Sequence, residues 1–167
     1  MTDTEKQLHE VKKRMIEFYK GDPKRVYHFL AVYSIAEVIG KDEGLTKDVL
    51  CILLTAALVH DIGIKASEEK YGSSAGVYQE KEGPFYARQL LEETGYDRAD
   101  IDRICFLVGH HHSYSMVDGF DFRILVEADF IVNAYEDRLS SDAIRKLSEN
   151  VFKTEAGIRL LHTLFLT

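Results

Sequence analysis

The segment "VLCILLTAALVHDIGIK", residues 49–65, decides how the rest of the chain is read. From Val49 to Val59 it is apolar except at Thr55, which describes a helix hydrophobic on nearly every side and hence one at the centre of a core. It then ends in an adjacent imidazole and carboxylate, His60 and Asp61. Burying ionisable groups there costs several kcal/mol unless something compensates them. Either the two residues cap and pair with their neighbours, or they hold a cation.

On both sides of this segment the helical period dominates and no stretch alternates with period two, so the chain is expected to be all-α. At 167 residues it is expected to be one domain over 1–167, a bundle of six to eight helices. A first helix covers roughly 4–20 and stops at Gly21. Asp22-Pro23 supplies an N-cap and a first-turn proline for a helix running to about Ile39, before Gly40, and Thr46 opens the apolar helix. Residues 63–82, "GIKASEEKYGSSAGVYQEKE", show no helical stripe until near their end and are expected to be a functional loop or lid. A helix resumes near Pro84 and ends at Gly95; Asp97 caps the next, which reaches His110. Beyond a polar turn at Gly119, another helix covers about 121–137, and one or two more complete the chain.

The net charge of −7 and pI near 5.5 leave no broad cationic surface for a nucleic-acid duplex, which favours a small-molecule partner. The polar start "MTDTEKQLHE" does not resemble a signal peptide, and the 49–59 run is too short to span a bilayer, so a cytoplasmic protein that does not engage a membrane is expected. Cys51 and Cys105 sit in apolar segments without a C-x-x-C pair, as buried thiols do. An amphipathic C-terminal helix can pack within one chain or between the two chains of a homodimer.

Three helices each aim a histidine or an acid inward. His28 shares a face with Val32, Ile35 and Ile39, His60 with Ala56, Leu53 and Val49, and Asp129 with Phe122, Leu125, Val126 and Val132. Any one of these alone reads as a hydrogen-bonded core residue. Together, His28, His60, Asp61 and Asp129 suit a divalent cation, because imidazole and carboxylate favour Fe, Mn, Zn, Ni and Mg. His9 and His162 have no such company.

Here the sequence resembles the HD-domain metal-dependent phosphohydrolases, whose pattern is H…HD…D across a helical core. The likeness runs from "RVYHFLAVYSIA" (25–36) through "ALVHDIGIK" (57–65) to "VEADFIVNAYED" (126–137). The HD dipeptide alone is common; with the upstream histidine in helical register and an aspartate about 70 residues on, the combination is specific. Some members carry two metals and place further ligands in a segment like "HGPxxA" and in a single or paired histidine. Here "EGPFYA" (82–87) has Glu82 at the histidine's place, and "LVGHHH" (107–112) supplies His110 and His111, with His112 left in solvent or behind them. A glutamate at the second site hardens it toward iron, manganese or magnesium.

The resemblance implies hydrolysis of a small phosphorylated molecule, a nucleotide above all, by hydroxide generated on one or two divalent ions, with Asp61 ligating one metal or bridging two. Substrate phosphate would meet Lys65, one place beyond the Ile64 position where many members carry a lysine, or Arg25 and Arg88. Tyr71 and Tyr78 would stack on a base or close over the site. Two alternatives share the fold: a mixed-valent di-iron oxygenase, and a catalytically silent regulatory module that binds metal or nucleotide.

Overall fold

Short polar side chains start most of the helices in the computed structural model, which describes residues 1–167. Thr2 forms a capping box with Glu5 at the head of α1 (Asp3–Phe18), and Asp22 caps α2 (Pro23–Asp42), with Pro23 in its first position. Thr46, Asp97, Ser140 and Thr154 likewise each accept a backbone N–H at the heads of α3 (Lys47–Val59), α6 (Arg98–Val108), α8 (Ser141–Ser148) and α9 (Glu155–Phe165). Three further helices begin without a side-chain cap: α4 (Ile64–Tyr71), α5 (Gly76–Leu91) and α7 (Phe120–Glu136). A 3₁₀ turn at Tyr114–Met116 precedes α7, and there is no strand. The all-α expectation holds: seven helices have eleven residues or more, and α4 and α8 have eight.

The apolar helix α3 is the axis of the packing, lying against α1, α2, α6 and α7. Leu53, Leu58 and Ile62 are fully buried there, with Phe29 from α2 and Phe122 and Leu125 from α7. Helix α2 does not stop before Gly40, as the sequence suggests. Gly40 is buried, and a Cβ there would stand 2.8 Å from Leu50 Cδ1, so this glycine admits α3 to close contact while the chain reverses later, at Gly44 (φ +72°).

The expected loop over 63–82 is corrected by the structure: it contains α4 and the first half of α5. Neither carries an apolar stripe, because what each buries is small or polar. Helix α4 buries only Ala66 and Ser67, and the buried side of early α5 is Gln79, Glu82 and Gly83. Pro84 therefore sits inside α5 rather than at its start. The turn after α3 crosses α5 at a pair of glycines, where a Cβ on Gly63 would lie 2.7 Å from both Gln79 O and Gly83 N. Only glycine permits that approach, which brings α5 beside the His60-Asp61 pair.

Taken through Tyr71, the stretch from Lys47 is long and apolar enough, by length and composition alone, to cross a membrane. Most of its apolar window is buried inside the protein, and the turn at 60–63 divides it into two helices.

Candidate metal centre

Helix α2 carries His28 inward, the C-terminal end of α3 carries His60, the following turn carries Asp61, and α7 carries Asp129. His28 Nε2 stands 3.1 Å from His60 Nε2, and Asp129 Oδ1 is 3.3 Å from each of these nitrogens. Asp61 Oδ2 completes the group at 3.5 Å from His28 Nε2 and 3.6 Å from His60 Nε2. His60 is fully buried, while Asp61 and Asp129 keep 14% and 12% side-chain exposure, so the group opens to solvent on the carboxylate side.

The outward-facing ring nitrogens explain what the inward ones can do. His60 Nδ1 lies 2.8 Å from the Ala57 carbonyl, which can only accept, so Nδ1 carries the proton and Nε2 of the neutral ring presents a lone pair. His28 Nδ1 lies 3.0 and 3.1 Å from the two Glu136 oxygens, with the same consequence. Two imidazole lone pairs and two carboxylates thus converge with no proton donor among them. Such a set of acceptors fits a divalent cation of intermediate hardness.

Without a metal, protons are the only cations that the group can hold. Burial works against a charged His28, but the Asp129 hydrogen bond and the nearby Asp61 and Glu136 charges outweigh it and raise the pKa to about 9. His60 shifts upward too, burial again being outweighed by Asp61 and Asp129. Asp61 moves the other way: burial would raise it, and His60 with His111 hold it at about 2. Asp129 is held well below the carboxylate range, the His28 and His60 hydrogen bonds overcoming its burial.

Asp61 belongs to a second group as well. Its Oδ1 lies 3.0 Å from His111 Nε2, while His111 Nδ1 donates to the Val108 carbonyl at 2.9 Å. The ligand atoms of Asp61, His111 and His112 lie within 4.8 Å of one another. Gln79 Nε2 donates to Ser74 O, so its Oε1 accepts from His112 Nε2 at 3.1 Å and leaves Nδ1 as that ring's acceptor. His112 lies at the exposed edge of this group, and partial desolvation of its ring together with the neighbouring His111 lowers its pKa to about 4.

This pairing differs from the expected one. His110 joins neither group: its Nδ1 bonds back to the Phe106 carbonyl at 2.7 Å, and its ring stacks on Phe106. The chain leaves α6 just before the three histidines, and consecutive side chains diverge, so His111 and His112 are the two that turn toward Asp61. Glu82 is also elsewhere, with one carboxylate oxygen ion-paired to Lys70 and the other accepting from Tyr71. Gln79, one turn earlier on α5, faces the site instead.

A cleft of about 390 Å³ opens over these residues. Lys24 and Arg25 line it, but Arg25 is already paired with Asp22 at 3.0 Å and Glu68 at 2.6 Å, whereas Lys24 has no carboxylate partner. Lys65 is exposed outside the cleft with its ammonium 5.7 Å from the Phe18 ring, and Ile64 lines the wall in its place. Arg88 pairs with Asp102 on another face of the protein. Tyr71 and Tyr78 stack on each other, centroids 4.3 Å apart, and do not line the cleft.

Three further cleft residues carry no assignment from the sequence, Gln79, Asn133 and Glu136, and His112, expected in solvent or behind its two neighbours, lines the cleft as well. Asn133 and Glu136 follow Asp129 by four and seven residues, so extending its helical face would have found them. Asn133 Nδ2 donates to Asp129 Oδ1 at 3.0 Å. No comparable signal marked Gln79, which depends on where α5 crosses Gly63.

A family model described as HD domain matches residues 25–154. The crystal structure of a predicted HD superfamily hydrolase from an uncultured Thermotogales bacterium is similar, with a TM-score of 0.65 and 24% identity. That likeness covers 93% of this chain and 83% of the other, and at this identity it concerns the fold. A search of curated proteins gives no match.

Proposed function

Because the chain belongs to the HD domain family, we propose that it is a metal-dependent hydrolase that cleaves a phosphoester of a small molecule, with nucleotides as the first substrates to try. One observation carries this reading. Four acceptor groups from three separate helices and the turn after α3 converge: His28 Nε2 and His60 Nε2 stand 3.1 Å apart, each lies 3.3–3.6 Å from a carboxylate oxygen of Asp61 and of Asp129, and the Nδ1 protons of both histidines are committed outward.

Held by these residues, a divalent ion would lower the pKa of a water molecule from about 15.7 toward neutrality and stabilise charge developing on phosphoryl oxygens. Asp61 is the central residue of the reading, because Oδ2 serves the His28–His60 group while Oδ1 serves His111. Asp61 would therefore serve whichever of the two groups holds an ion. Lys24 draws the anionic end of the substrate into the cleft, and Arg25, braced by Asp22 and Glu68, forms a fixed cationic wall beside it.

The test is phosphate release from a panel of nucleoside monophosphates, sugar phosphates and p-nitrophenyl phosphate, after metal stripping and reloading with Mn(II), Fe(II), Zn(II), Ni(II) or Mg(II). Metal-dependent release that disappears in Asp61→Ala is the expected result. No release from any member with metal fully bound would sink the phosphohydrolase reading. Substrate-dependent oxygen uptake by the iron-loaded protein would put the di-iron oxygenase in its place.

A further inference from the structure

The three buried histidines, His28, His60 and His111, do not fix their rings in the same way. His60 and His111 lie just past the C-terminal ends of α3 and α6, where the last carbonyls of a helix have no helical N–H partner, and each donates Nδ1–H to such a carbonyl three residues back. His28 has no such carbonyl available. It sits inside α2, five residues past Pro23, where the carbonyls of the preceding turn are committed to the helix ladder. Its Nδ1 partner has to come from another element, and that partner is Glu136 at the end of α7.

We propose that Glu136 is the positioning residue of the metal centre, accepting the Nδ1–H of His28 so that the His28 ring turns its Nε2 lone pair toward His60 and Asp129. The inference rests on the metal centre proposed above and adds a residue that touches neither cation nor substrate. Two features of its placement support it. Both oxygens lie within 3.1 Å of the same nitrogen, so the ring is held from either side of the carboxylate. The side chain also lines a cleft read as taking an anion, where a carboxylate with no other task would work against binding.

The orientation is tested by Co(II) binding, since the visible absorption of this ion reports its coordination without any substrate. Metal-free wild type, Glu136→Ala, Glu136→Asp and Glu136→Gln are titrated with Co(II) against a competing chelator, and the melting temperature of each metal-free protein is recorded. Loss of such an outer partner of a ligating histidine weakens metal binding by about 10- to 100-fold. That loss is expected for Glu136→Ala, and for Glu136→Asp, which keeps the charge but withdraws the acceptor. Glu136→Gln keeps the acceptor without the charge, and is expected to bind Co(II) within about threefold of wild type.

Wild-type affinity in Glu136→Ala would overturn the proposal. So would the reverse order of the conservative pair, aspartate tight and glutamine weak, because charge would then be acting in place of the directed hydrogen bond. Failure of the hydrolase reading looks different: wild type and Glu136→Gln would bind Co(II) alike while neither releases phosphate. If wild type bound no Co(II) at all, the metal centre and the proposal would fall together.

Discussion

His28 and His60 face each other Nε2 to Nε2 across 3.1 Å, although they come from different helices and 32 residues apart in the chain. Neutral imidazoles oriented by their Nδ1 partners would turn two lone pairs toward each other at that distance, which is repulsive unless a cation lies within reach of both. Asp61 and Asp129 border the same point.

Because Asp61 takes part in both groups, its removal is expected to empty both. Elemental analysis of purified Asp61→Ala should show metal reduced to background, whereas His111→Ala should retain the metal of the His28–His60–Asp129 group. His110→Ala should match wild type in metal content, since its ring is turned to Phe106. Metal loss in His110→Ala equal to that in His111→Ala would contradict the arrangement.

Stability of the metal-free protein should depend on pH on both sides of a plateau. His28 rises from 6.5 to about 9 on folding, so its contribution is complete below about 6.5 and is lost as pH climbs through about 9. Asp61 falls from 3.8 to about 2, so its contribution is complete above about 3.8 and is lost as pH drops through about 2. Thermal melts of metal-free protein should therefore be highest between about pH 4 and 6.5. Protons and metal compete for the same nitrogens, so Co(II) affinity should climb with pH and level off above about 9. A pH-independent affinity between 6 and 9 would be inconsistent with this competition.

Among the cations, Lys24 is expected to matter most for an anionic substrate. An exposed charge-assisted contact contributes on the order of 1 kcal/mol, so Lys24→Ala should raise KM for a phosphoester about five- to tenfold while kcat stays within about twofold. Lys65→Ala and Arg88→Ala should leave both constants unchanged, as one side chain lies over Phe18 and the other pairs with Asp102. Steady-state kinetics on the best substrate of the panel measures all three.

The Gly63 crossing should tolerate no side chain. In Gly63→Ala the new methyl would meet backbone atoms at 2.7 Å, which cannot rotate away, and overpacking of this kind costs about 1–3 kcal/mol. Chemical denaturation should register that loss. Metal binding to the Asp61–His111–His112 group should weaken with it, because α5, which carries the Gln79 partner of His112, is pushed outward.

Much of this molecule could be read from local sequence, because the responsible physics is local. Cap residues and apolar periods mark α1, α2, α3, α6 and α7 within a few residues, and helical register alone points His28, His60 and Asp129 at a common core. Where a helix buries glycine, alanine, serine or a paired carboxylate, the period vanishes, so the sequence of α4 and the first half of α5 resembles that of a loop. Gly40, a stop by composition, is instead a contact point for α3.

By itself, then, the sequence determined an all-α core and the inward set His28, His60, Asp61 and Asp129. Only the tertiary structure decided which histidines of the 110–112 run turn to Asp61, that Glu82 is spent on Lys70 and Tyr71, and that Lys24 rather than Lys65 lines the cleft. Those choices depend on how α5 crosses the turn after α3 and on partners far along the chain, such as Glu136, 108 residues from His28. Helical register fixes the face on which a residue lies. Which group meets it there is set by packing between helices.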